Sequence, residues 1–191
     1  ADIEHVLVLA HRLVDSLGLG VDGLRLVRHV GTGGGCRLHR CLRLRFGRFS
    51  ADDAWALGNC IREKALARGA SVAIDISLRD RTLFHCALPG TTTDNVEWIR
   101  RKRNTVLRLW SASYLVGRRL ALSGRDQVEA RNLSYADFSV HGGSVPLFVA
   151  ALGCVGTATV SGVPERIDHA IVVDALADFL GIDLGEARLP E

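Results

Sequence analysis

The residues best equipped for chemistry lie in the run Asp94-Asn95-Val96-Glu97-Trp98-Ile99-Arg100-Arg101-Lys102-Arg103-Asn104. Consecutive cations beside an indole could grip a flat anionic ligand, because guanidinium groups pair carboxylates bidentately and tryptophan offers an apolar wall. A solvated helix face is the plainer reading of such a charge run. Ser111, Ser113 and Tyr114 follow with hydroxyls that either reach the same ligand or bond back to the preceding turn. His141-Gly142-Gly143-Ser144-Val145-Pro146 sets an imidazole before a double-glycine turn whose amides could cradle an anion; a tight structural turn explains it equally well. Asp168-His169 stands in the first turns of a helix, where an imidazole stays neutral and suits ligation or hydrogen-bond acceptance, or forms a structural pair.

Other constellations are weaker. Cys36-x-x-His39-x-Cys41 crowds its ligands and has no matching second pair, which is poor zinc geometry. Gly33-Gly34-Gly35 lacks the Lys-Ser/Thr continuation of a phosphate loop, and no Gly-x-Ser-x-Gly occurs. Neither a metal site nor a catalytic nucleophile is therefore expected. His85, between Phe84 and Cys86 on a strand, reads as a core or groove histidine.

The elements that must position these groups follow from periodicity. Asp94 as N-cap, Glu97 three residues later and the break at Pro89-Gly90 start a helix expected to run to about residue 122, the longest in the chain. Ile99, Val106, Trp110, Gly117 and Leu120 fall on one face of it; Arg101, Asn104, Arg108 and Ser111 fall on another. Residues 2–17 read as an amphipathic helix, and residues 20–42 as an irregular arm around Thr32-Gly33-Gly34-Gly35. From there the pattern is a strand through Phe46, a helix capped by Ser50, strands at 71–77 and 82–88, the basic helix, a hairpin over 145–161, and a last helix at 164–180. This order implies one domain over 43–185, an α+β fold with a single antiparallel sheet flanked by helices. The last helix is apolar nearly all round and must be buried on more than one side, which suggests a second subunit.

The motifs DNVEWIRRKRN, Ser111-Ala112-Ser113-Tyr114, His141 to Pro146, Val160-Ser161-Gly162-Val163-Pro164 and Asp168-His169 occur in that order. Together, over roughly residues 43–181, they resemble uncharacterised protein family 0303 (UPF0303), a branch of the heme-degrading-domain (HbpS/GlcG-like) superfamily. The resemblance implies a profilin-like α/β sandwich that assembles into dimers or larger rings, with heme or a related tetrapyrrole as a candidate ligand. A non-catalytic interaction scaffold and a heme-degrading enzyme are the alternatives it leaves open.

Composition sets the outer bounds. The 191 residues, 48% hydrophobic and 24% charged, fit one ordinary globular domain. A net charge of +3 is too small to argue for a nucleic-acid partner. The odd count of five cysteines, without repeated spacing, points away from a disulfide framework and toward a reducing compartment. Val6 to Ala10 is too short and too interrupted for a signal peptide or a membrane span, so the cytoplasm is the expected location. The expected partners are copies of the chain and a small anionic ligand.

Overall fold

A computed structural model describes residues 44–150 and 152–185. The amphipathic helix, the arm and the Cys36-His39-Cys41 motif expected from the sequence lie outside these residues. The sheet has the order β1-β4-β5-β2-β3, with β1 at Arg45–Phe46, β2 at Ala73–Leu78, β3 at Thr82–Ala87, β4 at Ser144–Val149 and β5 at Gly153–Ser161. Three of its four pairings are antiparallel; only the short edge strand β1 runs parallel to its neighbour, β4.

The alternation in Ala73-Ile74-Asp75-Ile76-Ser77 gives the sheet two unlike faces. On one, Ile74, Ile76, Phe84, Val145, Leu147, Ala158 and Val160 join a single buried cluster with helices α1 (Ala51–Ala67) and α5 (Glu165–Phe179). On the other lie Asp75, Ser77, Ser144, Thr157 and Thr159, and helix α2 (Thr93–Leu109) crosses them with Lys102 and Arg103 reaching down. The core is therefore on one side of the sheet and a buried polar layer on the other. The layer is built from paired hydroxyls, such as Ser144 Oγ and Thr159 Oγ1 at 2.8 Å.

Helix α1 forms as expected. Ser50 accepts from the Asp53 amide at 3.1 Å while Asp53 accepts from the Ser50 amide at 2.7 Å, and Ala54, Leu57, Ile61 and Ala65 face inward. The basic helix differs in two ways. Its N-cap is Thr92, because the Asn95 side chain reaches back to the Thr92 amide at 2.7 Å; Asp94 instead accepts from Trp98 Nε1 at 3.0 Å. It also stops at Trp110, which adopts a left-handed conformation (φ 52°, ψ 33°), and resumes as a separate helix α3 (Ser113–Ser123). Two things favour the break. The indole seats over Gly153 in the β4–β5 hairpin, and Ser113 Oγ accepts from the Ser144 amide at 3.2 Å, pinning the chain to β4. A short helix α4 (Gln127–Arg131), capped by Asp126, follows and was not expected from periodicity.

Helix α5 is buried from Ile171 through Ala177, against α1, the sheet and α3 within one chain. Its all-round apolar surface thus has a home without a second subunit, which removes that helix as an argument for assembly. No helix among the described residues is long and apolar enough to cross a membrane.

The packing of α1 on β3 yields a direct test. A Cβ placed on Gly58 would stand 2.5 Å from the ring of Phe84, which is itself buried. Glycine to alanine inside a helix ordinarily stabilises by about 1 kcal/mol. Here overpacking of about 1–3 kcal/mol opposes it. Gly58→Ala should therefore lower the denaturation midpoint in urea, and a raised midpoint would contradict this packing.

Candidate functional site

The residues of the five motifs divide into one convergent group and several that lie elsewhere. Convergence occurs where α2, the turn before β4, the start of α3 and the start of α5 meet. Lys102 is buried to 3% exposure and donates to Asp168 Oδ2 at 2.8 Å, to the Val160 carbonyl at 3.2 Å and to Ser161 Oγ at 3.3 Å. Asp168, 1% exposed, also accepts from the Val163 amide at 3.2 Å. Burial pushes the Lys102 ammonium down and the Asp168 carboxyl up from their ordinary values, each against the pull of the other's charge. Lys102 is thus an internal tie, not part of an exposed basic stripe.

The double-glycine turn lies directly on this pair. A Cβ on Gly143 (φ +121°) would meet the Val160 carbonyl at 2.3 Å and the Lys102 ammonium at 3.0 Å. A Cβ on Gly142 would meet the Glu165 carbonyl at 2.1 Å. The close approach that requires glycine is made by the protein's own backbone. One amide of the turn is already taken by the protein's own carboxylate: Glu165 Oε2 accepts from the Gly142 amide at 3.2 Å. Tyr114 stacks on His169 with ring centroids 4.9 Å apart, both buried, completing the junction between α3 and α5.

Toward solvent, the same junction presents three aromatic and cationic groups. The exposed His141 ring meets the Trp98 ring edge-on at 5.2 Å. The Arg101 guanidinium lies 4.1 Å from the Trp98 ring centroid, a cation–π contact, with Nε 3.5 Å from Glu97. His141 Nδ1 is 3.1 Å from Ser139 Oγ, which also accepts from the His141 amide at 3.2 Å. The hydroxyl fixes the ring's orientation and leaves Nε2 as the nitrogen to offer a ligand.

The remaining predicted residues do other work. Arg100 binds Glu97, Asp137 and the Ala136 carbonyl, and the Glu97 carboxylate, with Asp137, holds its guanidinium above its already high ordinary value. Asn104 donates to the Asp137 carbonyl at 2.9 Å. Together they clamp the loop that carries His141. Arg103 points to the opposite end of the polar layer, donating to Ser77 Oγ at 3.1 Å beside Asp75. His85 stands 3.9 Å from Asp75 in that neighbourhood. Pro146 is buried within β4 opposite Thr157, and Ser111 lines a cavity at the α2–α3 break. Glu165 and Ser139, which sequence reasoning missed, carry no motif-like spacing. Glu165 meets Gly142 only through the fold, and Ser139 acts on His141 two residues away through a turn that the sequence does not mark.

A family model described as haem degrading protein HbpS-like matches residues 49–177, which spans every element from α1 to α5 that builds this junction. The chain belongs to the HbpS-like family. Among its relatives, a UPF0303 protein of Rhizobium leguminosarum bv. trifolii is 48% identical over 146 residues, 76% of this chain and 88% of that protein. A UPF0303 protein of Streptomyces coelicolor is 51% identical over 139 residues, covering 73% of this chain and 88% of its own. The crystal structure of the Ybr137w protein superposes with a TM-score of 0.70 at 29% identity, over 76% of this chain and 86% of that one. A PduOC:heme complex shares the fold, with a TM-score of 0.59 at 18% identity over 68% and 93% of the two chains. The HbpS-like fold is thus shown by both the sequence and the structural neighbours. No group of three or more metal-ligating side chains occurs among the described residues.

The buried pair generates the next prediction. Removing one member of a buried ion pair strands the other charge, at a cost of about 3–5 kcal/mol. Lys102→Met should fall in that range by chemical denaturation. Adding Asp168→Asn, which keeps an acceptor for the Val163 amide, should recover at least half of the loss. Additive losses in the double variant would show that the two side chains are not coupled.

Proposed function

We propose that this chain is an oligomeric small-molecule-binding protein of the cytoplasm, and that its ligand is heme or a related flat, anionic tetrapyrrole. The ligand would rest on the face formed by Trp98, Arg101 and His141. One observation carries the reading: an exposed imidazole, oriented at Nδ1 by Ser139, stands beside an indole and a guanidinium. That donor set fits a heme, with Nε2 for the iron, the indole against the macrocycle and the guanidinium for a propionate. Family membership and a structural neighbour that is a heme complex support it. When bound, heme would supply redox and oxygen chemistry; the chain's own part is to bind, orient and shield.

The face is open, which is why an oligomer belongs to the proposal. Ligand pockets usually enclose about 300–1,000 Å³, and the cavity at Ser111 measures about 100 Å³ and lies at a different place. A second copy would supply the missing wall. Exposed Trp55, Leu122, Tyr135 and Leu152 provide apolar surface for such contacts.

The second reading, a scaffold without a ligand, is favoured by a specific fact. Arg100, Lys102 and Arg103 all have internal partners, so the basic run is largely spent on the fold. Hemin titration separates the readings. Binding predicts a shifted Soret band; loss of that band with reductant and oxygen would mark turnover. His141 is exposed, so His141→Ala should change stability by less than about 0.5 kcal/mol while abolishing the shift. Ser139→Ala should weaken binding by about tenfold, as loss of an orienting partner does. An unshifted Soret band in the unmodified protein would leave the scaffold. Light scattering at a mass near the 20.7 kDa of one chain would remove the oligomer.

A further inference from the structure

Strand β3 is an edge of the sheet, and among the described residues no strand lies beyond it. Leu88, just past its end, donates its amide to the Val72 carbonyl, so these two residues form a hydrogen-bonded pair. Alternation along the antiparallel register then turns the N–H and C=O groups of Leu83, His85 and Ala87 away from β2. Exposed edges are usually guarded by lysine, proline or other charged side chains. Thr82-Leu83-Phe84-His85-Cys86-Ala87 has no lysine, proline or carboxylate.

Helix α1 flanks this edge with apolar surface. On one of its sides Cys60, Lys64 and Arg68 turn toward α5, where they meet the Ala175 carbonyl, Asp178 and Asp174. At about 100° per residue, the opposite side carries Trp55, Arg62 and Leu66. Trp55 packs edge-on against Phe84 of β3, with ring centroids 5.7 Å apart, and is still 65% exposed; Leu66 is 48% exposed. An open strand edge beside large exposed hydrophobic side chains suits docking by strand addition.

Symmetry and charge decide the occupant. A two-fold axis perpendicular to the sheet at Phe84 sets β3 antiparallel to its own copy, with Leu83 of each chain opposite His85 of the other. Both α1 helices then lie on one face of the joined sheet and run antiparallel. The axis passes near the middle of α1, because Trp55 and Gly58 both stand over Phe84. The two indoles therefore come close to the axis. Asp52 and Arg62 lie equally far along the helix on either side of it, so Asp52 of each copy faces Arg62 of the other. Both are exposed, and no ion pair holds either among the described residues. We propose that β3 and the outer side of α1 form a two-fold interface with a second copy of this chain. The proposal rests on the oligomeric reading above and names one of its contacts; it uses none of Trp98, Arg101 and His141.

The experiment is sedimentation equilibrium of the full chain and its variants, with circular dichroism to confirm folding. Arg62→Asp brings like charges together at both ends of the interface and should weaken association by about tenfold. Adding Asp52→Arg restores opposite charges and should bring the affinity back to within about threefold of the unmodified chain. Trp55→Glu sets two carboxylates near the axis and should weaken association at least as much as Arg62→Asp. His85→Pro removes an outward N–H, which an edge strand can spare, and should lower the mass of the assembly. If His85→Pro fails to fold, the charge exchange and Trp55→Glu decide. A single-chain mass for the unmodified protein would overturn both the oligomer and this interface. An assembly unchanged in every variant that folds would overturn this interface alone and place the contacts elsewhere. Weakening by Arg62→Asp that Asp52→Arg does not reverse would also overturn it.

Discussion

Much of this fold hangs on the buried contact between Lys102 and Asp168. A lysine and an aspartate taken out of water are each costly, and their attraction repays the cost only with good geometry and further hydrogen bonds. Both conditions are met: the ammonium has three acceptors, and the carboxylate has a second donor in the Val163 amide. The pair thereby fastens three elements at one point, the middle of α2, the end of β5 and the first turn of α5. Everything nearby takes its shape from that point. Gly143 must be glycine because the ammonium and the Val160 carbonyl stand where a Cβ would go, and Gly142 is drawn against Glu165. The His141 ring projects outward because the turn behind it cannot move in.

The basic run shows how one dense patch of charge is divided by the fold. Successive residues on a helix point about 100° apart, so although Arg100 and Arg101 both touch Glu97, the four cations are sent to different places. Arg100 grips the loop at Asp137, Arg101 lies on Trp98, Lys102 goes to the interior, and Arg103 reaches the polar layer by Asp75. Only Arg101 remains with a candidate ligand face. The same sorting applies to the hydroxyls: Ser113 is a structural tie to Ser144, whereas Ser111 faces a cavity.

These assignments also explain what the sequence could disclose. Local grammar was readable where neighbours in sequence decide the outcome. The Ser50–Asp53 cap, the alternation of Ile74 and Ile76 with Asp75 and Ser77, and the apolar run of α5 are of that kind. The helix break at Trp110 was not readable, since a tryptophan has no intrinsic preference for a left-handed conformation and the cause is Gly153, far along the chain. The apolar circumference of α5 read as a demand for a second subunit because periodicity cannot tell which partner covers a face. Of the candidate site, residue types and their clustering were legible, and the ordered motifs pointed to the family. The pairings of Lys102 with Asp168 and of Gly142 with Glu165 were not, because each joins groups separated by tens of residues.

The central claim is that the buried pair holds the double-glycine turn, and with it the outward imidazole, in place. Amide hydrogen exchange in the Lys102→Met variant tests it most directly. The Gly142 and Ser144 amides are held by the side chains of Glu165 and Ser113, whereas those of Ile74 and Ile76 sit in the central sheet. Local release of the turn predicts that Gly142 and Ser144 lose more protection than Ile74 and Ile76. Equal loss at all four amides, or unchanged exchange at the turn, would contradict the account.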